Sequence, residues 1–150
     1  MGIYKRETTM GELIRSIELT TLTLIKCDFE IFDPKEAPNG GSIEFSCEVG
    51  FIESEIENLF EVILKFEIRG FRDDDNLFLL EQTYSGSFKE LDSDTFNGVS
   101  KELQVQYCTS LVYPTLRESA QYMLNKAGLG QIDIPLHFSD PTVEEVEKNT

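Results

Sequence analysis

The sequence predicts an α+β fold, a four-stranded antiparallel sheet followed by two C-terminal helices packed on one face. Two observations carry this. Apolar and polar residues alternate through four successive segments between Ile17 and Phe88, the period of half-buried strands. After Phe88 the apolar spacing changes to every third or fourth residue, the period of an amphipathic helix. Strands first and helices afterwards is the order of an α+β domain. The short polar turns between strands exclude parallel pairing, which needs crossovers of roughly a dozen residues or more.

The first strand is expected over Ile17–Ile31, with Ile17, Leu19, Thr21, Thr23, Ile25, Cys27, Phe29 and Ile31 on one face. Glu18, Thr20, Lys26, Asp28 and Glu30 take the other, interrupted by Leu22 and Leu24. Asp33–Ser42 is made of breakers and polar residues and reads as a loop. The second strand places Ile43, Phe45, Cys47, Val49 and Phe51 inward. The third, about Leu59 to Phe71, does the same with Phe60, Val62, Leu64, Phe66 and Ile68. The fourth runs from Leu77 to Phe88, with Phe78, Leu80, Tyr84 and Phe88 sharing a face. Lys89–Gly98 is a polar connector. Leu103, Tyr107, Leu111 and Val112 then form a helical stripe, and Pro114 either kinks that helix or opens a second one. Leu116, Ala120, Met123, Leu124 and Ala127 continue the stripe to a cap at Gly128. Gln131–Phe138 is a short extended piece, and the acidic end after it is expected to fray.

The chain has 150 residues, 40% of them hydrophobic, which suits one domain with a core at about 15–140 and flexible ends over 1–14 and 140–150. A formal charge of −15 opposes binding to nucleic acid or to anionic lipid, because both draw their attraction from Lys and Arg. Basic or apolar partners remain. No secretory leader or membrane-spanning run is present, and Cys27, Cys47 and Cys108 are odd in number and scattered. Neither a disulfide frame nor a zinc site is indicated, so the reading is a reducing, cytoplasmic address with no metal and no cofactor. The only histidine, His137, has no nucleophile motif beside it. The glycine pairs Gly40-Gly41 and Gly128-x-Gly130 do not make a phosphate loop, and Asp73-Asp74-Asp75 reads as a solvated hairpin tip rather than a calcium loop. No enzyme is predicted.

Leu22, Leu24, Ile52, Ile56, Ile63, Leu77 and Leu79 fall on the strand faces that the helices would leave open. A misphased strand or a partly covered face would explain them; so would a second subunit or a client packed there. An aromatic-rich, acidic, non-enzymatic domain is also what a binder of unfolded chains requires, since apolar surface grips the client while charge keeps the binder soluble.

The stretch Tyr107–Phe138 resembles the bacterial export chaperones of the SecB family. Cys108, Leu111, Tyr113, Pro114, Arg117, Glu118, Gly128, Pro135 and Phe138 match the family's pattern. Asp28-Phe29-Glu30 and Phe78-Leu79-Leu80-Glu81, with Gly86 and Phe88, add to it, and order and spacing agree over roughly residues 15–140. The resemblance implies a dimer of dimers that holds preproteins unfolded along apolar grooves without ATP and passes them to the translocase motor SecA. It implies a SecA-docking face at Glu30, Leu79 and Glu81. Lys26 stands where the family usually has an acid, and the end after Phe138 lacks the long motor-contacting extension. Some members of the family instead guard an antitoxin. Candidate client-contacting residues are Phe45, Val49, Phe51, Phe78, Tyr113 and Leu124, each of which core packing would explain as well. Asn39-Gly40-Gly41 could flank the groove. The remaining alternative is an adaptor module with the same fold and no client groove.

Overall fold

The computed structural model describes residues 10–136 and the pair Thr142–Val143. In chain order the elements are α1 (Met10–Ile14), β1 (Ile17–Ile31), β2 (Ser42–Glu53), β3 (Leu59–Arg72), β4 (Asp75–Glu90), α2 (Ser93–Asn97), α3 (Lys101–Lys126) and β5 (Thr142–Val143). The sheet order is β1-β4-β3-β2-β5. β1 to β4 are joined antiparallel, and β5 adds parallel to β2. The expected four-stranded antiparallel sheet followed by helix is therefore present, with a short fifth strand at its edge.

Helix α3 lies across β3 and β4. Val105, Cys108, Val112, Leu116, Ala120 and Leu124 meet Val62, Leu64, Phe66, Leu80 and Tyr84 in one core of buried side chains. Gln82, fully buried beneath the helix, donates to Ser119 Oγ at 3.1 Å and so ties β4 to α3.

The alternation expected for β1 fails in its middle, and two bulges are the reason. The register steps between Leu19 and Thr21 and again between Leu24 and Lys26. An extra residue at a bulge reverses which face the following side chains take. Leu22 and Leu24 thus pair with Gly86 and Tyr84 and share the helix-side face, while Thr21 and Thr23 turn outward. At Cys27, Phe29 and Ile31 the original phase returns. Leu77 is displaced in the same way. The β3–β4 register jumps after Gly70/Phe78 to Phe71/Asn76, and Leu77 is buried at 4% exposure instead of standing on the open face.

The expected pair of C-terminal helices is corrected to one. α3 runs unbroken through Pro114, from an N-cap at Ser100, whose hydroxyl accepts from Leu103 N at 3.2 Å, to Gly128 at φ +77°. Pro114 and Ser110 are both on the exposed side, so the Ser110 carbonyl that loses its usual partner can be hydrated. Val112, Tyr113, Leu116 and Ala120 are buried on both sides of the proline, and that shared packing holds the axis together.

The polar connector before α3 contains helix α2, capped by Asp92, whose carboxylate accepts from Thr95 N, with Phe96 buried. Within the stretch expected to be flexible, Met10–Ile14 forms α1 and buries Leu13 at its end. The frayed end expected after residue 140 contains β5. His137 and Phe138 lie outside the described residues. No helix among the described residues is long and apolar enough to cross a membrane.

Candidate functional site

An open cavity of about 210 Å³ sits where the β1–β2 loop meets the chain leaving α3. Leu77, Phe78 and Gly70 line it from the sheet, Ala37, Gly40 and Gly41 from the loop, and Ile132 from the exit chain. Pockets for small-molecule ligands usually run about 300–1,000 Å³. This one is sized for a single apolar side chain and opens to solvent beside Ile43.

Two clamps hold its walls. Arg72, at the end of β3, reaches across to the loop, pairing with the Glu36 carboxylate at 2.8 Å and donating to the backbone carbonyls of Glu36 and Gly40. Gln131 donates to Pro38 O at 3.1 Å from the opposite side. The exit chain is itself fastened along α3 by residues one turn apart. Tyr113 donates to Pro135 O, Arg117 Nε to Ile134 O at 2.9 Å, and Gln121 Nε2 to Ile132 O at 2.9 Å. The Gln121 amide oxygen accepts from Ile134 N at 3.3 Å. Burial raises the pKa of the Tyr113 phenol, partly countered by Arg117, so it remains a neutral donor.

The six predicted client-contacting residues divide sharply. Phe45 and Phe51 lie half-buried on the helix-side face of β2. Phe51 ends a series of stacked rings, 5.9 Å from Phe60, which stacks in turn on Phe88 and Phe96. Lys101 Nζ stands 4.0 Å above the Phe51 ring. Phe78 is buried but floors the cavity. Val49, Tyr113 and Leu124 are core residues: Val49 and Leu124 are fully buried, and Tyr113 packs edge-on against Phe66. These three offer no open surface in this conformation. Gly40 and Gly41 of the expected flanking loop do line the cavity, while Asn39 bonds back to Lys35 O.

Ile43, Gly70, Leu77 and Ile132 were missed as cavity residues, along with the clamps Arg72 and Gln131. Only the alternation of Ile132, Ile134 and Leu136 hinted at a packed extended segment. Nothing local marks Arg72, which acts on a loop more than thirty residues earlier.

The outer face of the sheet has a different character. Its cross-strand rows read Glu30–Leu79–Arg69–Glu44, then Asp28–Glu81–Glu67–Ser46, then Lys26–Thr83–Lys65–Glu48. The structure therefore brings Glu30, Leu79 and Glu81 together on one face of the sheet. Three carboxylates stand in direct register at Asp28, Glu81 and Glu67, an arrangement that costs stability. Lys26 offsets one of them, at 3.4 Å from Asp28, and Arg69 is engaged by Glu44 at 2.6 Å.

A family model described as the preprotein translocase subunit SecB matches residues 21–140. The chain belongs to the SecB family. Members of this family are chaperones rather than enzymes, and that is the level of function the family fixes. Among solved structures, a SecB-like chaperone of Mycobacterium tuberculosis, in complex with a peptide from an antitoxin, superposes with a TM-score of 0.64 at 13% identity. That likeness covers 84% of this chain and 93% of the other, and it supports the SecB fold. A protein of unknown function from Streptococcus agalactiae matches with a TM-score of 0.48 at 14% identity, over 81% of this chain and 97% of its own. None of the curated proteins compared matches the chain.

Proposed function

We propose that this SecB-family protein is an ATP-independent holdase that binds unfolded preproteins and keeps them competent for translocation. The observation that best supports the reading is the open apolar cavity floored by Phe78 and walled by the clamped β1–β2 loop and the chain leaving α3. Phe78, Phe45 and Phe51 contact the client in this account. Val49, Tyr113 and Leu124 act beneath them, as the packing that holds the groove in shape. Each apolar client side chain contributes roughly 1.5–3 kcal/mol on burial, offset by the entropy of ordering a flexible chain. Affinity then comes from several weak contacts and stays reversible.

Glu30, Leu79 and Glu81 form the dock for SecA in this proposal, and the working assembly is a cytoplasmic dimer of dimers. The long β1 edge, with Leu24 and Ile25 exposed at 43% and 55%, favours assembly. A second reading, a chaperone dedicated to an antitoxin, is favoured by the antitoxin peptide held by the Mycobacterium tuberculosis SecB-like chaperone.

The test is to titrate the protein, without nucleotide, into an unfolded aggregation-prone preprotein, following light scattering with oligomer mass measured in parallel. Suppression at near-stoichiometric tetramer is expected. A monomer or dimer that leaves aggregation untouched overturns the holdase and leaves an adaptor with the same fold. Suppression confined to an antitoxin client selects the second reading.

A further inference from the structure

We propose that Asn39–Gly40, in the loop that flanks the Phe78 cavity, is a site of spontaneous deamidation whose isoaspartyl product releases the Arg72 clamp.

Two asparagines of the chain precede glycine, Asn39 and Asn97. A glycine in that place lets its backbone nitrogen approach the asparagine carboxamide with no side chain in the way. The fold treats the two pairs differently. Asn97 ends α2, and the Gly98 N–H donates to Asp94 O at 2.9 Å from a helical backbone at φ −78°. That nitrogen is engaged, so attack has to wait until the helix end opens. Asn39 and Gly40 are both exposed, and among the described residues the Gly40 N–H donates to no acceptor. Gly40 stands at φ +96°, a conformation glycine adopts freely. Beyond its chain neighbours, no atom lies within 4 Å of the place a Cβ would take. The Asn39 side chain is tied by an exposed bond, from Nδ2 to Lys35 O at 3.2 Å.

The reaction needs only water. The Gly40 nitrogen attacks Asn39 Cγ and gives up its proton to solvent. The Cγ–Nδ2 bond breaks, and ammonia leaves with a proton taken from solvent. Water then opens the cyclic succinimide. Opening at Cγ gives aspartate, whereas opening at the main-chain carbonyl gives isoaspartate, whose backbone runs through Cβ and Cγ. Either product carries a new carboxylate, and nothing is oxidised or reduced.

Isoaspartate lengthens the backbone between points that are held. Arg72 donates to the carbonyls of both Glu36 and Gly40. Upstream, the Asp33 carboxylate accepts from Lys35 N at 3.3 Å and Glu36 N at 3.1 Å. Downstream, Gly41 packs so closely that a Cβ there would lie 2.6 Å from Phe71 O. The loop cannot take in a longer chain while Arg72 keeps both carbonyls, so Gly40 O leaves the guanidinium. Because Gly40 and Gly41 line the cavity, its loop-side wall then moves.

The experiment ages the full chain in mildly alkaline buffer and maps its peptides by mass spectrometry, with an isoaspartyl methyltransferase labelling the isoaspartate. Modification should be at least about tenfold faster at Asn39 than at Asn97, because a bonded helix end reacts only during the fraction of time it is open. Hydrogen exchange in the aged protein should quicken at the Ala37 and Asn39 amides, which donate to Asp33 O and Glu36 O, while the sheet amides stay protected. Asn39→Gln, whose longer side chain closes a ring far more slowly, should show neither change on ageing. Freshly prepared Asn39→Asp carries the new charge without the extra backbone atom and should keep the clamp. Comparable rates at the two asparagines, or an intact Asn39, overturn the modification site. Isoaspartate at Asn39 with unchanged exchange in the loop, or equal quickening in Asn39→Asp, overturns release of the clamp by a longer backbone.

Discussion

Gly70 and Phe78 are direct cross-strand partners, and the Phe78 ring lies over the glycine in the space a side chain would occupy. A Cβ built on Gly70 overlaps three atoms of that ring. The ring that floors the cavity is therefore seated by the absence of a side chain opposite it. Gly70→Ala should push the ring into the cavity, costing about 1–3 kcal/mol by overpacking. Urea unfolding reads the loss, and peptide affinity should fall in the folded protein at the same time. An unchanged affinity would remove the cavity from the binding site.

Arg117 acts on the cavity from the other wall, through the Ile134 carbonyl. Arg117→Met keeps the stem and removes the donor, at an expected cost of about 1.5–3 kcal/mol for a charged hydrogen bond. Hydrogen exchange should accelerate at the Ile134 amide while the sheet amides stay protected. Uniform acceleration would mean that Arg117 supports the whole fold rather than the exit chain.

Glu81 stands between Asp28 and Glu67 with like charge on both sides. Glu81→Gln should raise stability by about 0.2–1 kcal/mol, since directly opposed like charges are unfavourable. The same variant should weaken association with SecA at low salt if this patch is the dock. Calorimetric unfolding and a binding titration at two ionic strengths check both halves.

Pro114 deprives the Ser110 carbonyl of its helical partner on the exposed side of α3. Pro114→Ala should restore that bond and stabilise the protein by up to about 3 kcal/mol, the propensity difference in a helix interior. Thermal unfolding measures it.

Burial pushes the Cys47 and Cys108 thiols from 9.0 to about 12, with Glu48 adding to the effect at Cys47 and Lys101 opposing it at Cys108. In the unfolded chain these thiols ionise first. Stability should be insensitive to them below pH 9 and fall as pH rises from there toward 12. The buried phenols of Tyr107 and Tyr113, also raised by burial, act in the same direction. Cys47→Ala should flatten part of the decline in the urea midpoint. Iodoacetamide at neutral pH should modify the exposed Cys27 alone, with all three thiols reacting in urea.

The four long strands were legible because alternation is a local signal: β1 begins and ends where its pattern does, at Ile17 and Ile31, and β3 begins at Leu59. Two runs of the same length can still pair with an extra residue on one side. The bulges that turn Leu22 and Leu24 inward are fixed by what Gly86 and Tyr84 offer across the sheet, and no pattern within β1 contains them. Pro114 gave a true local signal for a break, and burial of Val112, Tyr113 and Leu116 outweighed it. The candidate groove divides along the same line. Phe45, Phe51 and Phe78 were visible as aromatic residues on an inward face, but depth of burial separates only Phe45 and Phe51 from Val49 and Leu124, while Phe78 is as buried as those two and is set apart by lining the cavity. Composition and periodicity determined a strand-then-helix domain, its inward faces and its acidic surface, because those depend on neighbours in the chain. The cavity was decided by the tertiary structure. Arg72, Gln131, Gly70 and Phe78 meet only after the sheet has closed, and contacts between such distant positions leave no period to read.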